Sequence, residues 1–153
     1  MAKYGATFTA FATTTGLTTT ILLSTAANRK AELVEARMTG SGSTAAADIM
    51  HRATFNNKDG TTAGTLTAVT PGLWDAMANA AGCTIGVAAT VEPTTYGIAI
   101  WLAGFNQRGG VVFGVPQGEG VNIDNQPTNK HLGMRVISSA IGTVDGMFNW
   151  HEP

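Results

Sequence analysis

The residues that could perform acid–base or metal chemistry are few and widely separated in this chain. The three histidines are His51, His131 and His151, and the single cysteine is Cys83. A zinc site needs three or four ligands, commonly with close His and Cys spacing, and no HxH, HxxH or CxxC pattern occurs. We therefore expect no metal and no other cofactor. We interpret Cys83 as a small buried residue, since one cysteine cannot form an intrachain disulfide.

Hydroxyl and carboxylate residues also lack the spacing of catalytic sites. Ser138 follows an apolar run and is not part of a GxSxG elbow. Glu92, Glu119 and Asp124 fall in predicted loops, where a pair could approach as in glycoside hydrolases, but solvated loop acids are the commoner case. We therefore predict that the protein is not an enzyme. The enzymatic alternative is a small hydrolase or lyase that depends on Glu92, Glu119 or His131.

The composition argues against several classes of partner. Charged residues make up 12% of the 153 residues and the net charge is −1, against a usual charged share of about 25%. Because the nine Lys and Arg are scattered, no basic field for nucleic acid is expected. The longest strictly apolar run near the start, 21–23, is too short for a secretion signal or a membrane span. A neutral surface of this kind is typical of a protein that neighbouring subunits cover.

Alternation of apolar and polar residues dominates the chain and predicts short strands, bounded by Gly, Pro, Asn and Asp. In 48–55, one face carries Ile49, His51, Ala53 and Phe55. In 30–38, Ala31 and Leu33 project to one side, and Val34, Ala36 and Met38 project to the other. Asp-Gly pairs at 59–60 and 145–146 predict tight turns. The fold class that follows is all-β, a single antiparallel β-sandwich with Greek-key connections.

One segment departs from the alternation. Residues 71–82 begin with Pro71, continue with Ala, Met and Leu, and end at Gly82. Proline at a first helical position and glycine beyond the last are typical of helix ends. We predict one short helix near 71–81, with Leu73, Trp74 and Met77 packed inward.

The first 27 residues are rich in threonine and differ from the β-sandwich domain predicted for 28–153, although we expect one domain overall. Threonine runs favour extended chain. The segment could form a first hairpin with its turn at Thr15-Gly16. It could also be an extended arm that docks on a neighbour through Tyr4, Phe8 and Phe11, for which simple core packing is the alternative.

A second candidate contact lies in GIAIWLAGFNQRGGVVFGVPQGEG (97–120). Two apolar runs flank a polar tip in which no His, Cys, Ser or Asp occurs. The polar side chains of the tip are two amides and an arginine. We interpret the segment as a stiff hairpin whose tip, Asn106, Gln107 and Arg108, contacts another protein. Arg108 could bind a carboxylate or carbonyl groups, and the amides could pair with exposed backbone. The alternative for these three residues is ordinary turn chemistry.

Residues from about 29 onward resemble a family of small proteins encoded beside the major capsid gene in tailed bacteriophages. The resemblance lies in RKAELVEARMTGSGSTAAAD (29–48), in EPT (92–94), in LAGFNQRGGVVF (102–113) and in the ending HLGMRVISSAIGTVDGMFNWHEP (131–153). It implies a jelly-roll-like decoration, or cement, protein on the capsid exterior of the virion, made in the bacterial cytoplasm. The implied partners are the major capsid protein and two further copies of the chain, since such proteins are typically trimers. The Thr-rich start, 1–27, departs from the family.

A carbohydrate-binding β-sandwich on a phage virion or tail is the alternative function. Such a module would expose aromatic side chains near loop acids. Trp74, Trp101 and Trp150 all lie in apolar sequence contexts, so we expect them to be buried.

Overall fold

The computed structural model describes residues 1–25, 29–41, 49–59, 64–74, 78–94, 96–124 and 130–153, and all regular structure among them is β. Two sheets of six strands each are present. The first sheet contains β1 (Ala2–Ala12), β3 (Lys30–Gly40), β6 (Gly72–Leu73), β9 (Gly110–Gly114), β10 (Val121–Asp124) and β12 (Thr143–Glu152). The second sheet contains β2 (Thr18–Ser24), β4 (Met50–Asp59), β5 (Thr65–Val69), β7 (Thr84–Val91), β8 (Tyr96–Asn106) and β11 (Lys130–Ser138).

Consecutive strands often pass from one sheet to the other, and every described strand pair is antiparallel. In the first sheet, β1 pairs with β12 and β12 with β3, while β9 and β10 both pair with β3. In the second sheet, β2 pairs with β11, β11 with β4 and β4 with β8. The order β1-β12-β3-β9 in the first sheet thus corresponds to the order β2-β11-β4-β8 in the second, each strand lying next in sequence to its counterpart. The predicted all-β, two-sheet sandwich is confirmed.

Aromatic side chains join the two sheets at the centre of the core. Phe55 of β4 stacks on Trp101 of β8, with ring centroids 4.6 Å apart. Its ring also meets Phe113 of β9 and Phe148 of β12 edge-on, at 5.4 and 5.8 Å. Aromatic pairs of this geometry contribute about 0.5–1.5 kcal/mol beyond their burial. Phe55 thus connects both layers at one point.

The buried face predicted for 48–55 is confirmed, because Ile49, His51, Ala53 and Phe55 are all buried. Thr54, which the alternation places on the opposite face, is buried as well. The alternation predicted for β3 needs one correction. In β3, the two sets of residues expected on opposite sides are also all buried. The pairing of β3 with β12 explains this, because it skips Val34 between Leu33 and Glu35. A β-bulge of this kind inserts one residue and returns the strand's inward face to the core.

The helix predicted near 71–81 is wrong for the residues that the structure describes there. Gly72 and Leu73 form strand β6 and pair with Gly5 and Tyr4 of β1, and residues 78–82 are not helical. Leu73 and Trp74 are exposed instead of packed inward, and Met77 lies outside the described residues. Strand pairing with β1 has overridden the local helix propensity, as tertiary contacts commonly do.

The N-terminal segment adds one strand to each sheet. Strand β1 pairs with β12 along its whole length, Tyr4 opposite Trp150 and Phe8 opposite Gly146. Tyr4 and Phe8 are buried, and the Tyr4 ring stacks on Trp150 at 6.0 Å. Phe11 is half-buried against Phe8. These contacts support the core alternative for the three aromatics and contradict the extended arm within this chain.

One predicted turn and the first hairpin are also corrected. Strands β1 and β2 lie in different sheets, so residues 15–16 connect the layers instead of closing a hairpin. Asp145 and Gly146 lie inside β12, where a Cβ on Gly146 would meet the Phe8 ring at 2.6 Å. Gly146 therefore leaves space for the Phe8 ring and does not form a turn. Of the other Asp-Gly pair, Asp59 ends β4 and Gly60 lies outside the described residues.

Candidate functional site

The candidate contact at 106–108 is a turn that connects the two sheets. Its flanking strands do not form a hairpin, because β8 pairs with β4 and β9 pairs with β3. The Gly109 N–H donates to the Asn106 carbonyl at 2.9 Å, and the Arg108 N–H donates to Asn106 Oδ1 at 3.0 Å. An asparagine that accepts from the backbone two residues on is typical of an Asx turn. The sequence correctly predicts the reversal and misses that it is an arch between layers.

Gln107 is buried and holds the arch against the body of the protein. Its Oε1 lies 2.7 Å from His51 Nε2, and its Nε2 donates to the Thr143 carbonyl at 2.8 Å. His51 Nδ1 lies 2.6 Å from Ser138 Oγ. The Gln107 N–H also donates to the Ile49 carbonyl at 2.9 Å. Gln107 is therefore a structural residue, which contradicts its predicted contact with another protein.

The Ser138–His51–Gln107 arrangement has the residue types of a nucleophile, a base and an orienting group. All three side chains are buried, so a substrate cannot approach the hydroxyl. An amide oxygen accepts, so His51 Nε2 donates to Gln107. His51 therefore lies between Gln107 and Ser138, and the three side chains satisfy one another. We interpret the arrangement as a satisfied polar network of the core.

Asn106 and Arg108 are the two exposed residues of the predicted contact. Their side chains flank Gln107 in sequence and lie on the outside of the arch. Arg108 is also the one charged residue between Tyr96 and Gly114. A guanidinium carries five donors in a fixed fork that suits carboxylates. Of the predicted trio, only these two remain available for a partner.

An exposed apolar surface lies on the outer side of β8, before the arch. We call it the apolar edge and define it as Ile98, Ile100 and Leu102 of β8. Their side chains are 89%, 47% and 56% exposed. Val112 of β9 is 57% exposed, but it lies opposite Arg37 on the outer side of the other sheet. Trp101 and Phe113 lie between the two strands, 6.1 Å apart, and link β8 to β9. The sequence analysis missed this surface because it assigned contact to the tip and not to the strands.

Strand β8 is also an edge strand of the second sheet. It has eleven residues and none of them is charged at neutral pH. Edge strands of monomeric proteins are commonly protected by lysine, proline, inward charges or a covering element, because their free N–H and C=O groups can pair with another chain. Neither lysine nor proline occurs in β8. The signal in the sequence is the uncharged run GIAIWLAGFN, which has the features of an unprotected edge.

The acids considered for catalysis do not form one site in the described residues. Glu92 accepts hydrogen bonds from the Thr19 N–H at 2.8 Å and the Thr19 hydroxyl at 2.6 Å. Glu119 is exposed in the connection between β9 and β10. Asp124 ends strand β10 instead of lying in a loop. His131 contacts the Ser24 hydroxyl at 2.6 Å.

Within the described residues, no three His, Cys, Asp or Glu side chains come close enough together to hold a metal ion. The same residues contain no helix with the length and apolar character that crossing a membrane requires. Cys83 is buried in the core, as its sequence context indicates.

Comparisons with known proteins returned no match among protein families, curated proteins or solved structures. The basis for a functional proposal is therefore the chain itself: its surface, its buried networks and its fold.

Proposed function

We propose that the protein is a structural subunit of a bacteriophage virion, a decoration protein that binds the capsid exterior and bridges subunits of the major capsid protein. The observation that carries this proposal is the apolar edge, an uncharged surface on an unprotected edge strand. An exposed apolar patch of this kind marks a site of association with another protein. Arg108 lies at the end of this surface, where it can bind a carboxylate of the partner.

The size of the apolar edge favours attachment by several copies at once. Full burial of an aliphatic side chain contributes about 1.5–3 kcal/mol, so the three side chains contribute roughly 5–9 kcal/mol at most. Association costs an estimated 4–15 kcal/mol. One chain alone would therefore bind weakly. A homotrimer attaches several edges together and gains avidity without any new contact.

Two further features support the same proposal. The corresponding strand order in the two layers is the course expected of a jelly-roll-like wrap, the fold that the resemblance implies. The residues of that resemblance include strands β3, β11 and β12 in the interior of the two sheets, and the part of β8 and β9 that flanks the arch.

The test is occupancy on shells assembled from the major capsid protein of the same genome. Ile98→Lys/Leu102→Lys places two charges on the apolar edge, and we expect it to lose most binding in a co-sedimentation assay. The matched control is Val91→Lys/Ile141→Lys, which adds the same charge at exposed positions elsewhere. Arg108→Ala should weaken attachment with the fold intact. Equal occupancy for wild type and the edge variant would overturn the proposal.

The trimer is tested separately by sedimentation equilibrium of the free protein. The chain has a mass of 15.8 kDa, so a trimer and a monomer are readily distinguished. If the protein is a monomer in solution and also on the shell, the homotrimer is wrong. The apolar edge as attachment surface is tested independently by the occupancy assay.

A further inference from the structure

A groove lies on the first sheet at the edge away from β9, beside strands β1 and β6. Its volume is about 480 Å³, within the range of about 300–1,000 Å³ typical of small-molecule sites. The backbone of β6 and side chains of β1 and β12 line it, with Trp74 and Leu73 at its rim. The capsid-binding proposal does not use this groove.

Trp74 is held out into solvent in a fixed position. Its side chain is 61% exposed, yet the indole Nε1–H donates to Asn149 Oδ1 at 3.2 Å. Asn149 is buried, and its Nδ2 donates to Glu35 Oε2 at 2.8 Å. A side chain at Gly5 would displace this contact, since its Cβ would lie 2.9 Å from the indole nitrogen. The chain thus orients a large aromatic side chain that it does not bury.

The groove is lined mainly by apolar side chains and carries a few polar groups. Val69, Leu73 and Met147 lie in its lining with Trp74. Thr7 and Thr70, both exposed, add two hydroxyls. Lys3 Nζ lies 4.5 Å from the Trp74 ring centroid, a cation–π contact. Among the described residues that line the groove, none carries a carboxylate. The groove therefore combines one aromatic ring and aliphatic side chains with two hydroxyl groups.

A pyranose ring matches this combination. Its C–H face is apolar and stacks on an aromatic ring, while its hydroxyls need both donors and acceptors at the rim. Proline-rich peptides are the other ligand class that aromatic grooves bind, but their sites are lined by several aromatic residues. Here the described lining contains a single indole, two threonines and aliphatic side chains, and no second aromatic ring. These observations favour a sugar over a peptide.

We propose that the Trp74 groove binds a neutral hexopyranose unit of a glycan, with Trp74 as the stacking platform, Asn149 holding the indole from below, and Thr7 and Thr70 near the sugar hydroxyls. The site is separate from the apolar edge, so the two functions can fail independently. The protein would then carry a glycan-binding surface on the side away from its proposed attachment surface.

The test is an NMR titration of the full chain with neutral trisaccharides of glucose, galactose, mannose and N-acetylglucosamine, each at millimolar concentration. The chain has three tryptophans, and Trp74→Phe identifies the Trp74 indole signal by its loss. We expect at least one trisaccharide to shift that signal. Trp74→Ala should weaken binding of the same sugar about 10-fold or more, and Trp74→Phe should weaken it less.

The matched control is Ile98→Ala, which removes an exposed apolar side chain from the other sheet and should leave sugar binding unchanged. Three results would overturn the proposal. They are an unshifted Trp74 signal with all four sugars, equal affinity in wild type and Trp74→Ala, and a shift produced by a proline-rich peptide but by no sugar. Capsid binding plays no part in this readout.

Discussion

At the scale of single residues, Gln107 and Arg108 are adjacent in sequence but differ in role. Gln107→Ala removes the acceptor for His51 Nε2 and the donor for the Thr143 carbonyl. Leaving a buried polar group unsatisfied costs about 1–3 kcal/mol. We therefore expect Gln107→Ala to lower the free energy of unfolding by about 2–4 kcal/mol, measured by urea denaturation.

Arg108→Ala is the control for this prediction, because its side chain is exposed. Surface substitutions usually change stability by less than about 0.5 kcal/mol, so we expect it to unfold like wild type. Equal stability of the Gln107 and Arg108 variants would contradict the buried role of Gln107.

The two tyrosines give a prediction on pH. The pKa of Tyr96 is raised to about 12, chiefly by burial; the Thr19 hydrogen bond and Arg135 lower it in part, and Glu92 adds to the rise. Burial also raises the pKa of Tyr4 above its ordinary value. The folded chain therefore keeps both phenols neutral at a pH where the unfolded chain, with pKa near 10, ionises them. The contribution of these neutral phenols to the stability of the folded state is complete below about pH 10 and is lost as the pH rises toward 12.

Tyrosinate absorbance tests the prediction. At about pH 11 we expect a clearly smaller tyrosinate signal from the folded protein than from the same protein in urea. Tyr96→Phe should make the fall in stability above pH 10 less steep. A native protein that shows the full tyrosinate signal at that pH would contradict the burial of these phenols.

At the scale of elements, the effect of Phe8 on stability tests whether β1 is a strand of the core or a separate arm. Phe8 is buried against Gly146 of β12, whereas Thr7 beside it is exposed. We expect Phe8→Ala to lower stability by about 3–5 kcal/mol, because it leaves a cavity in the core, and Thr7→Ala to change it little. Thermal unfolding measures both. If Phe8→Ala unfolded like wild type, residues 2–12 would behave as an arm.

The elements that the sequence predicts well are those fixed by a local pattern. Alternation at positions 49, 51, 53 and 55 identifies the buried face of β4, because side-chain direction in a strand has a period of two. The bulge at Val34 is visible as a break in the alternation of β3. Which side chains of β3 then face the core depends on its pairing with β12. Strand β6 could not be predicted, since Gly72 and Leu73 become a strand only by pairing with β1.

The candidate site was less predictable than the strands for a related physical reason. The turn chemistry of Asn106 and Gly109 identifies a reversal but not which sheets the two strands join. The burial of Gln107 depends on His51 and Thr143, which are far away in sequence. Exposure of Trp74 depends likewise on its bond to Asn149. Local composition carries no information on partners at such separations.

At the scale of the whole molecule, low charge and the apolar edge act together. The net charge is −1 and the isoelectric point is about 6.3, so little long-range repulsion separates copies at neutral pH. The core is completed within one chain, since the aromatic cluster around Phe55 draws on both sheets. Along β8 the sandwich leaves three apolar side chains uncovered, and this surface is available for association.

This gives a prediction that needs no capsid. Near pH 6.3 we expect wild type to self-associate increasingly with concentration, seen as rising light scattering. Ile98→Lys/Leu102→Lys should scatter less, because lysine on an edge strand opposes edge pairing. Val91→Lys/Ile141→Lys receives the same two charges, so any effect of net charge is common to both variants. If the two variants scatter equally, charge alone controls association and the apolar edge has no special part in it; if only the edge variant scatters less, the position of the charges is decisive.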